Sequence, residues 1–457
     1  MSKKFKEIFT PNGLFQLLIV TVNAQLIYAF WDIRNTVPQG FPAALGVSDA
    51  QAGQLYSMQG LVIILGTVAL GWIGDRFSIR TIMAIASAGV GGISLYLTLA
   101  SPGIPFPVLL ACFFLMLLCS EVLFKPANFK AVSLSTTPEH QGTAFGLFEF
   151  GRGLLAFLVS LLWTVMLAFN ASAFAIMMTA SLVVIVAGIA VFFVVPTGTR
   201  VGEADTQSAS AIEAIRGVGR VAKLPVVWIA GINVLCIYGT FVAAGTYFAR
   251  YLQAGYGASA VVAAVFATTI IGLRMLPLLS SVLVEKVFGT ATRFMRFMEV
   301  ILVVVLVAIG AIFMLNPAPV SEFAANAVPT NLVDTRVFWL LVVLMLIAAA
   351  LTFMVRGVYY APIGEFKVPK KHSSAAMSLA ITIGYVPALV APILLANVIL
   401  PSVKNDAGEI VTQVLTPTSS LGMVFFGLSA LAALAAILSH AMVRMHAHMV
   451  ENGEMND

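Results

Sequence analysis

The sequence predicts an all-α polytopic membrane protein, with twelve transmembrane helices arranged as two six-helix halves. Three observations predict it. Of 457 residues, 60% are apolar and 10% are charged, against about 25% charged in a soluble domain. The apolar residues gather into runs of roughly the ~20 residues that a helix needs to cross a bilayer. A single long polar stretch, 196–225, divides those runs into two sets of six. The composition excludes a disordered chain, a disulfide-stapled secreted domain and an ordinary soluble enzyme.

In order, the runs are 13–33, 51–74, 79–100, 107–129, 143–168, 172–195, 226–251, 258–284, 295–315, 336–362, 374–400 and 418–443. The first follows Lys3, Lys4 and Lys6 and has no small-residue cleavage site soon after it, so it reads as a retained helix and not a signal peptide. The domain organisation expected is a six-helix half over 1–195, a cytoplasmic linker over 196–225, and a second half with its tail over 226–457. The linker begins with small and polar residues. It then places Ile212, Ile215, Val218 and Val221 at three-residue steps, with Arg216, Arg220 and Lys223 between them. That fits either a short amphipathic helix on the membrane face or a solvated connection.

An even number of spans puts both termini on one side, and basic residues choose the side. The tails and alternate loops of one face hold sixteen Lys and Arg, among them Lys3, Lys4, Lys6, Lys286, Lys370 and Lys371. The opposite face holds Arg250, Arg336 and Lys404. Both termini are therefore expected in the cytoplasm, in a bacterial inner membrane. The net charge of +5 is a topology signal and not a nucleic-acid surface. Cys112, Cys119 and Cys236 lie in or beside apolar runs, without the spacing of a metal site or a disulfide framework. No cofactor or metal is expected.

The connection after the second run reads Gly71-Trp72-Ile73-Gly74-Asp75-Arg76-Phe77-Ser78-Ile79-Arg80, and an acid-base pair recurs in the second half as Glu285-Lys286. Parallel six-helix repeats are a known transporter architecture. The Gly-x-x-x-Asp-Arg pattern with a further Arg four residues on resembles the loop motif of the major facilitator superfamily, with Ser78 where that motif usually has glycine. The resemblance implies that Gly71, Asp75, Arg76 and Arg80 steady one conformation of a transport cycle and do not bind substrate.

Ionisable groups inside a membrane are expensive and mark function by default. The first span carries Asp32 and Arg34, the fourth Glu121, Lys125 and Lys130, the fifth Glu149 and Arg152, the eighth Arg274 and the tenth Arg356. Glu121 and Lys125 lie four apart, and Glu149 and Arg152 three apart, so each pair shares a helix face. Lys130 is near enough to the cytoplasmic helix end to snorkel, and the position of Arg356 also fits a place near that end. Glu149–Arg152 reads equally as a structural ion pair. Tyr28 stands beside these groups as a cavity-lining aromatic or a packing residue. Surplus cations would draw an anion, and the planar fork of Arg suits carboxylate, sulfonate or phosphate.

Two segments sharpen the resemblance. Tyr28 to Leu45, with Arg34-Asn35 and Pro42, resembles the first helix of organophosphate:phosphate antiporters, which implies substrate binding by Arg34. Glu121 through Lys130, continuing from Thr137 to Ala144, resembles the fourth helix and following loop of the anion:cation symporters. There the glutamate five residues before the proline, here Glu121, serves proton coupling. Asp32 and Arg34 loosely match the Asp-Arg pair of those symporters, with Ile33 between them. Where the antiporters place a second arginine on the seventh helix, this chain has Tyr238-Gly239-Thr240, which leaves Arg152 or Arg274 for that role. The expected substrate ligands are thus Arg34, Arg152, Arg274, Lys125 and Tyr28, and the proton carriers Glu121, Asp32 and Glu149.

No phosphate-binding Gly-x-x-x-x-Gly-Lys-Ser/Thr loop and no His-Glu-x-x-His pair occurs, which argues against an ATP-driven pump and a membrane hydrolase. The expected function is secondary active transport of a small organic anion, proton-coupled and working as a monomer. An anion exchanger and a transporter-like sensor are the rival readings. The partners are the anionic substrate, protons and the lipid bilayer.

Overall fold

The computed structural model describes residues 13–70, 78–136, 141–195, 222–317, 322–324, 335–366, 370–401, 403–404 and 410–452. It is almost wholly helical. The first span is a pair, α1 (Gly13–Leu26) and α2 (Ala29–Thr36), bent by 52°. There follow α3 (Asp49–Leu70), α4 (Ile79–Ala100), α5 (Phe106–Ser133), α6 (Gln141–Ala168) and α7 (Ala173–Val194). The second half of the chain gives α8 (Pro225–Tyr256), α9 (Ala260–Phe288), α10 (Ala291–Leu315) and α11 (Arg336–Glu365). It ends with α12, made of Lys370–Gly384 and Val386–Asn397, and α13 (Thr418–Glu451). Among the described residues, ten helices are long and apolar enough to cross a bilayer, and the bent pair makes eleven. The 22-residue α3 occupies the second predicted run. A small antiparallel sheet that the apolar pattern did not signal joins β1 (Glu322–Ala324), β2 (Val403–Lys404) and β3 (Ile410–Val414) in the order β1-β3-β2.

The chain forms two compact units. One runs to Ser208 and takes in Ala260–Gly272. The other holds Ala209–Ser259 and Leu273–Asp457. In the first, α4 and α7 approach through small residues. A Cβ added at Gly188 would lie 2.5 Å from that of Ser87, and one at Gly91 would lie 2.6 Å from Ile185. Such contacts suit helices in lipid, where close van der Waals packing replaces the hydrophobic effect. The first part of α9 joins this unit through buried hydroxyls. Thr268 bonds Ser160 at 2.7 Å and Thr164 at 2.8 Å, and Ser160 bonds Thr36 at 2.6 Å. Leu99, Val186 and Phe193 stay more than 60% exposed. This is the outward apolar surface of a protein solvated by lipid tails.

In the second unit, α10 and α13 close up where a Cβ at Gly422 would meet the Gly310 carbonyl at 2.9 Å. Beside them Asn233 of α8 donates to Glu299 of α10, to Ser439 and to the Ala435 carbonyl, each at 3.0 Å. Glu365 caps α10 by accepting from the backbone N–H groups of Ala291 and Thr292, where the positive helix end favours an acid.

Several spans are irregular, and proline explains where. Pro126 offers no N–H to the preceding turn, and α5 widens into a π-helix over Leu118–Phe124. A 3₁₀ turn at Leu273–Met275 precedes Pro277. The break of α11 at 357–360 precedes Pro362, and that of α12 at Tyr385 precedes Pro387. The first span departs from the single helix expected because the Tyr28 N–H bonds the Gln25 carbonyl, a three-residue step.

Candidate functional site

The first unit gathers charge at two of these irregularities. Tyr28 stands at the bend between α1 and α2, and its hydroxyl donates to the Ser120 carbonyl at 3.4 Å. One turn on, Asp32 accepts from Gln25 Nε2 at 3.0 Å and from Asn35 Nδ2 at 3.3 Å. Glu121 lies in the π-helical turn of α5 with its side chain 5% exposed. Its carboxylate accepts from Lys125 Nζ at 3.1 Å and from Gln59 Nε2 of α3 at 3.1 Å. Tyr28 is also within hydrogen-bonding reach of Glu121 and within the electrostatic reach of Arg152 and Asp32. Arg152 of α6 acts on Glu121 as well. π-turns recur at functional sites because the extra residue re-aims a side chain without ending the helix.

The expected residues therefore divide. Tyr28, Asp32, Glu121, Lys125 and Arg152 come together. Glu149 pairs with Arg152 at 3.2 Å but points outward, 60% exposed. Arg34 lies two positions beyond Asp32, about 200° around the helix. Its guanidinium stacks 3.7 Å from the Trp31 ring centroid and 5.1 Å from that of Tyr56. Tyr56 and Gln59 are one turn apart on α3, so that helix serves both Arg34 and Glu121. Gly71, Asp75 and Arg76 lie outside the described residues. Arg80 opens α4 and stacks 4.1 Å from the Phe192 ring. Ser78, the departure from the family's glycine, caps α4 by accepting from the Thr81 N–H at 3.2 Å.

In the second unit, Arg274 occupies the 3₁₀ turn of α9 and faces Gly245 in the π-helical segment Ala243–Tyr247 of α8. A second arginine, Arg356, ends the first segment of α11. It lies 4.2 Å over the Phe241 ring, with Tyr359 as a hydrogen-bonding neighbour.

Sequence reasoning missed three kinds of residue. Gln25, Asn35 and Gln59 are uncharged, yet each is a polar residue in an apolar run, spaced to face an acid. Glu299 sits close to the start of its run and reads as an end residue, but it is fully buried. The grouping of tyrosines around Arg356 depends on three separate spans, and only the neighbouring Tyr359-Tyr360 pair is visible as a local pattern. Among the described residues, no three His, Cys, Asp or Glu gather as a metal site.

The family model of the Major Facilitator Superfamily matches residues 17–392. The chain belongs to the Major Facilitator Superfamily. It is a multi-pass membrane transporter of that superfamily and not an enzyme. It is 24% identical over 389 residues to the inner membrane protein YihN of Escherichia coli (strain K12), covering 82% of this chain and 85% of that one. Among solved structures, it resembles a bacterial homologue of the human lysosomal transporter Spinster with a TM-score of 0.67. That match has 14% identity and covers 96% of this chain and 98% of the other. A D-xylose–proton symporter superposes with a TM-score of 0.66 at 14% identity, over 93% and 97% of the two chains. The nucleoside transporter NupG gives 0.65 at 14%, over 95% and 99%. At these identities the superfamily members share the fold alone.

Proposed function

We propose that this transporter moves a small organic anion together with a proton, by alternating access, in a bacterial inner membrane with both termini in the cytoplasm. The observation that carries the reading is the buried Glu121, ion-paired with Lys125 at 3.1 Å beside Tyr28, Asp32 and Arg152. Lys125 and Arg152 are the groups an incoming anion would engage, with Tyr28 beside them. Arg34, on another face of its helix against Trp31 and Tyr56, and Arg274 are the further cationic candidates. An anion that draws Lys125 away leaves Glu121 without its counter-charge in an apolar setting, where a carboxylate binds a proton. Anion and proton thus load together, and the site stays near neutral. Asp32 is the second carrier, and Glu149 serves by neutralising Arg152. Basic residues crowded on one face support the orientation, and the similarity to an inner membrane protein supports the location.

Glu121→Gln in proteoliposomes tests the coupling. Uptake driven by a pH gradient is expected to fail while counterflow, which needs no net proton release, survives. Persistent pH-driven uptake would sink the assignment. Loss of both activities would make Glu121 a structural partner of Lys125. Exchange without any response to pH in the wild-type protein would favour the antiporter reading.

A further inference from the structure

Arg356 belongs to none of the expected binding residues, yet its surroundings have the chemistry of a ligand site. It ends a helical segment where α11 opens over 357–360. Tyr359 and Tyr360 stand on that opening with ring centroids 4.5 Å apart. Tyr385 stands at the break of α12, with its ring 4.4 Å from that of Tyr238 on α8. Tyr238 is in turn 5.1 Å from Phe241, the ring beneath Arg356. Tyr238, Tyr359 and Tyr385 all lie within the electrostatic reach of the guanidinium. Two broken helices and one continuous one thus bring four rings around one cation, with Tyr360 packed behind Tyr359, all within the second unit. Interrupted membrane helices are tolerated where they line a cavity or a ligand.

The charge balance points the same way. The ion pairs among the described residues are Glu121–Lys125 and Glu149–Arg152, and no carboxylate pairs with Arg356. Its Nε is buried without a hydrogen-bond partner. Ring faces and the negative end of the helical segment offset part of the charge, but an arginine within an apolar span ordinarily has an anion as partner. We propose that Arg356, with Tyr238, Phe241, Tyr359, Tyr360 and Tyr385, forms a binding site for an organic anion whose flat carbon skeleton stacks on the tyrosine rings. The inference rests on the reading of this protein as an anion transporter and adds the group that recognises the carbon skeleton. The rival is a clamp, in which Arg356 merely ties the opened turn of α11 to Phe241.

Modification of the purified full-length protein by phenylglyoxal, read at each arginine by peptide mass spectrometry, separates the two. Benzoate and sulfate serve as probes. A ligand site predicts that Arg356 is modified in anion-free buffer and protected by both. Benzoate should act at about tenfold lower concentration than sulfate, the value of one good ring contact. Tyr238→Leu should remove that preference while leaving sulfate protection in place. An Arg356 that resists modification, or reacts equally with and without both anions, overturns the proposal in favour of the clamp. Arg152 is scored in the same digest. Protection at Arg152 alone sinks the second site and spares the transport reading. Protection at Arg356 alone keeps the second site and removes the anion from the Lys125–Arg152 cluster.

Discussion

Arg34 and Arg152 carry the same charge in different settings, and substitutions should separate them. Arg34 lies against Trp31 and Tyr56, so a lysine there keeps the charge but loses planar stacking and the bidentate fork. Arg34→Lys is expected to weaken binding of the transported anion by tenfold or so, a loss of about 1.4 kcal/mol, while the protein still inserts and folds. Equal affinity of the two proteins in equilibrium binding would remove Arg34 from the site. Arg152 is held by the exposed Glu149, and exposed pairs contribute about 0–1 kcal/mol. Glu149→Gln should therefore leave the melting temperature nearly unchanged. Both arginines were legible in the sequence because a charge in an apolar run stands out. That Arg34 turns to aromatic rings and Asp32 to glutamine and asparagine was not, because the bend at Tyr28 has no proline or glycine to announce it.

Helix pairs bring a different set of residues into play. Glu299 is fully buried and meets Asn233, which also bonds Ser439 and the Ala435 carbonyl. Glu299→Gln retains the acceptor oxygen and should melt close to wild type. Glu299→Ala removes one of the acceptors that share the Asn233 amide hydrogens and opens a void among buried polar groups, at about 1–3 kcal/mol, and should lower the melting temperature in detergent by several degrees. Equal losses in both variants would show that the ionised carboxylate is what the helices need. On α4 and α7 the decisive quantity is distance. With Ser87 Cβ 2.5 Å from the position of an added methyl, Gly188→Ala must push the helices apart, and overpacking of this kind costs about 1–3 kcal/mol. Reduced yield of folded protein on size-exclusion chromatography is the check. The spans themselves were readable from hydropathy. The π-turns and breaks were only half readable, since Pro126, Pro277, Pro362 and Pro387 mark where a helix yields but not which side chains are re-aimed there.

For the whole molecule, twelve apolar runs and the loop from Gly71 to Arg80 were enough to reach the superfamily, because bilayer thickness and charge bias act on the entire chain at once. The substrate was not legible in the same way. The residues proposed to recognise it, Tyr238, Arg356 and Tyr385, are scattered over nearly 150 positions of the sequence. The superfamily motif carries a prediction at this scale too. Asp75→Asn should slow transport strongly while leaving the affinity for the substrate within about threefold, as expected of a loop that the family resemblance assigns to the cycle and not to the site. Parallel loss of binding and transport, measured on the same preparation, would move Asp75 into the binding machinery.

The ion pair between Glu121 and Lys125 has an electrical consequence. A single elementary charge crossing 100 mV exchanges about 2.3 kcal/mol with the field, whereas two opposite charges 3.1 Å apart cross as a dipole with no net charge. Under the proposed coupling, the pair adds no net charge to the return step of the unloaded protein, and that step should depend little on voltage. Lys125→Met leaves Glu121 without its ion-pair partner, with Arg152 as the remaining nearby cation, whenever it is not protonated. Recordings on protein-loaded supported membranes should then show a return step that depends on potential in alkaline solution and loses that dependence as the solution is acidified.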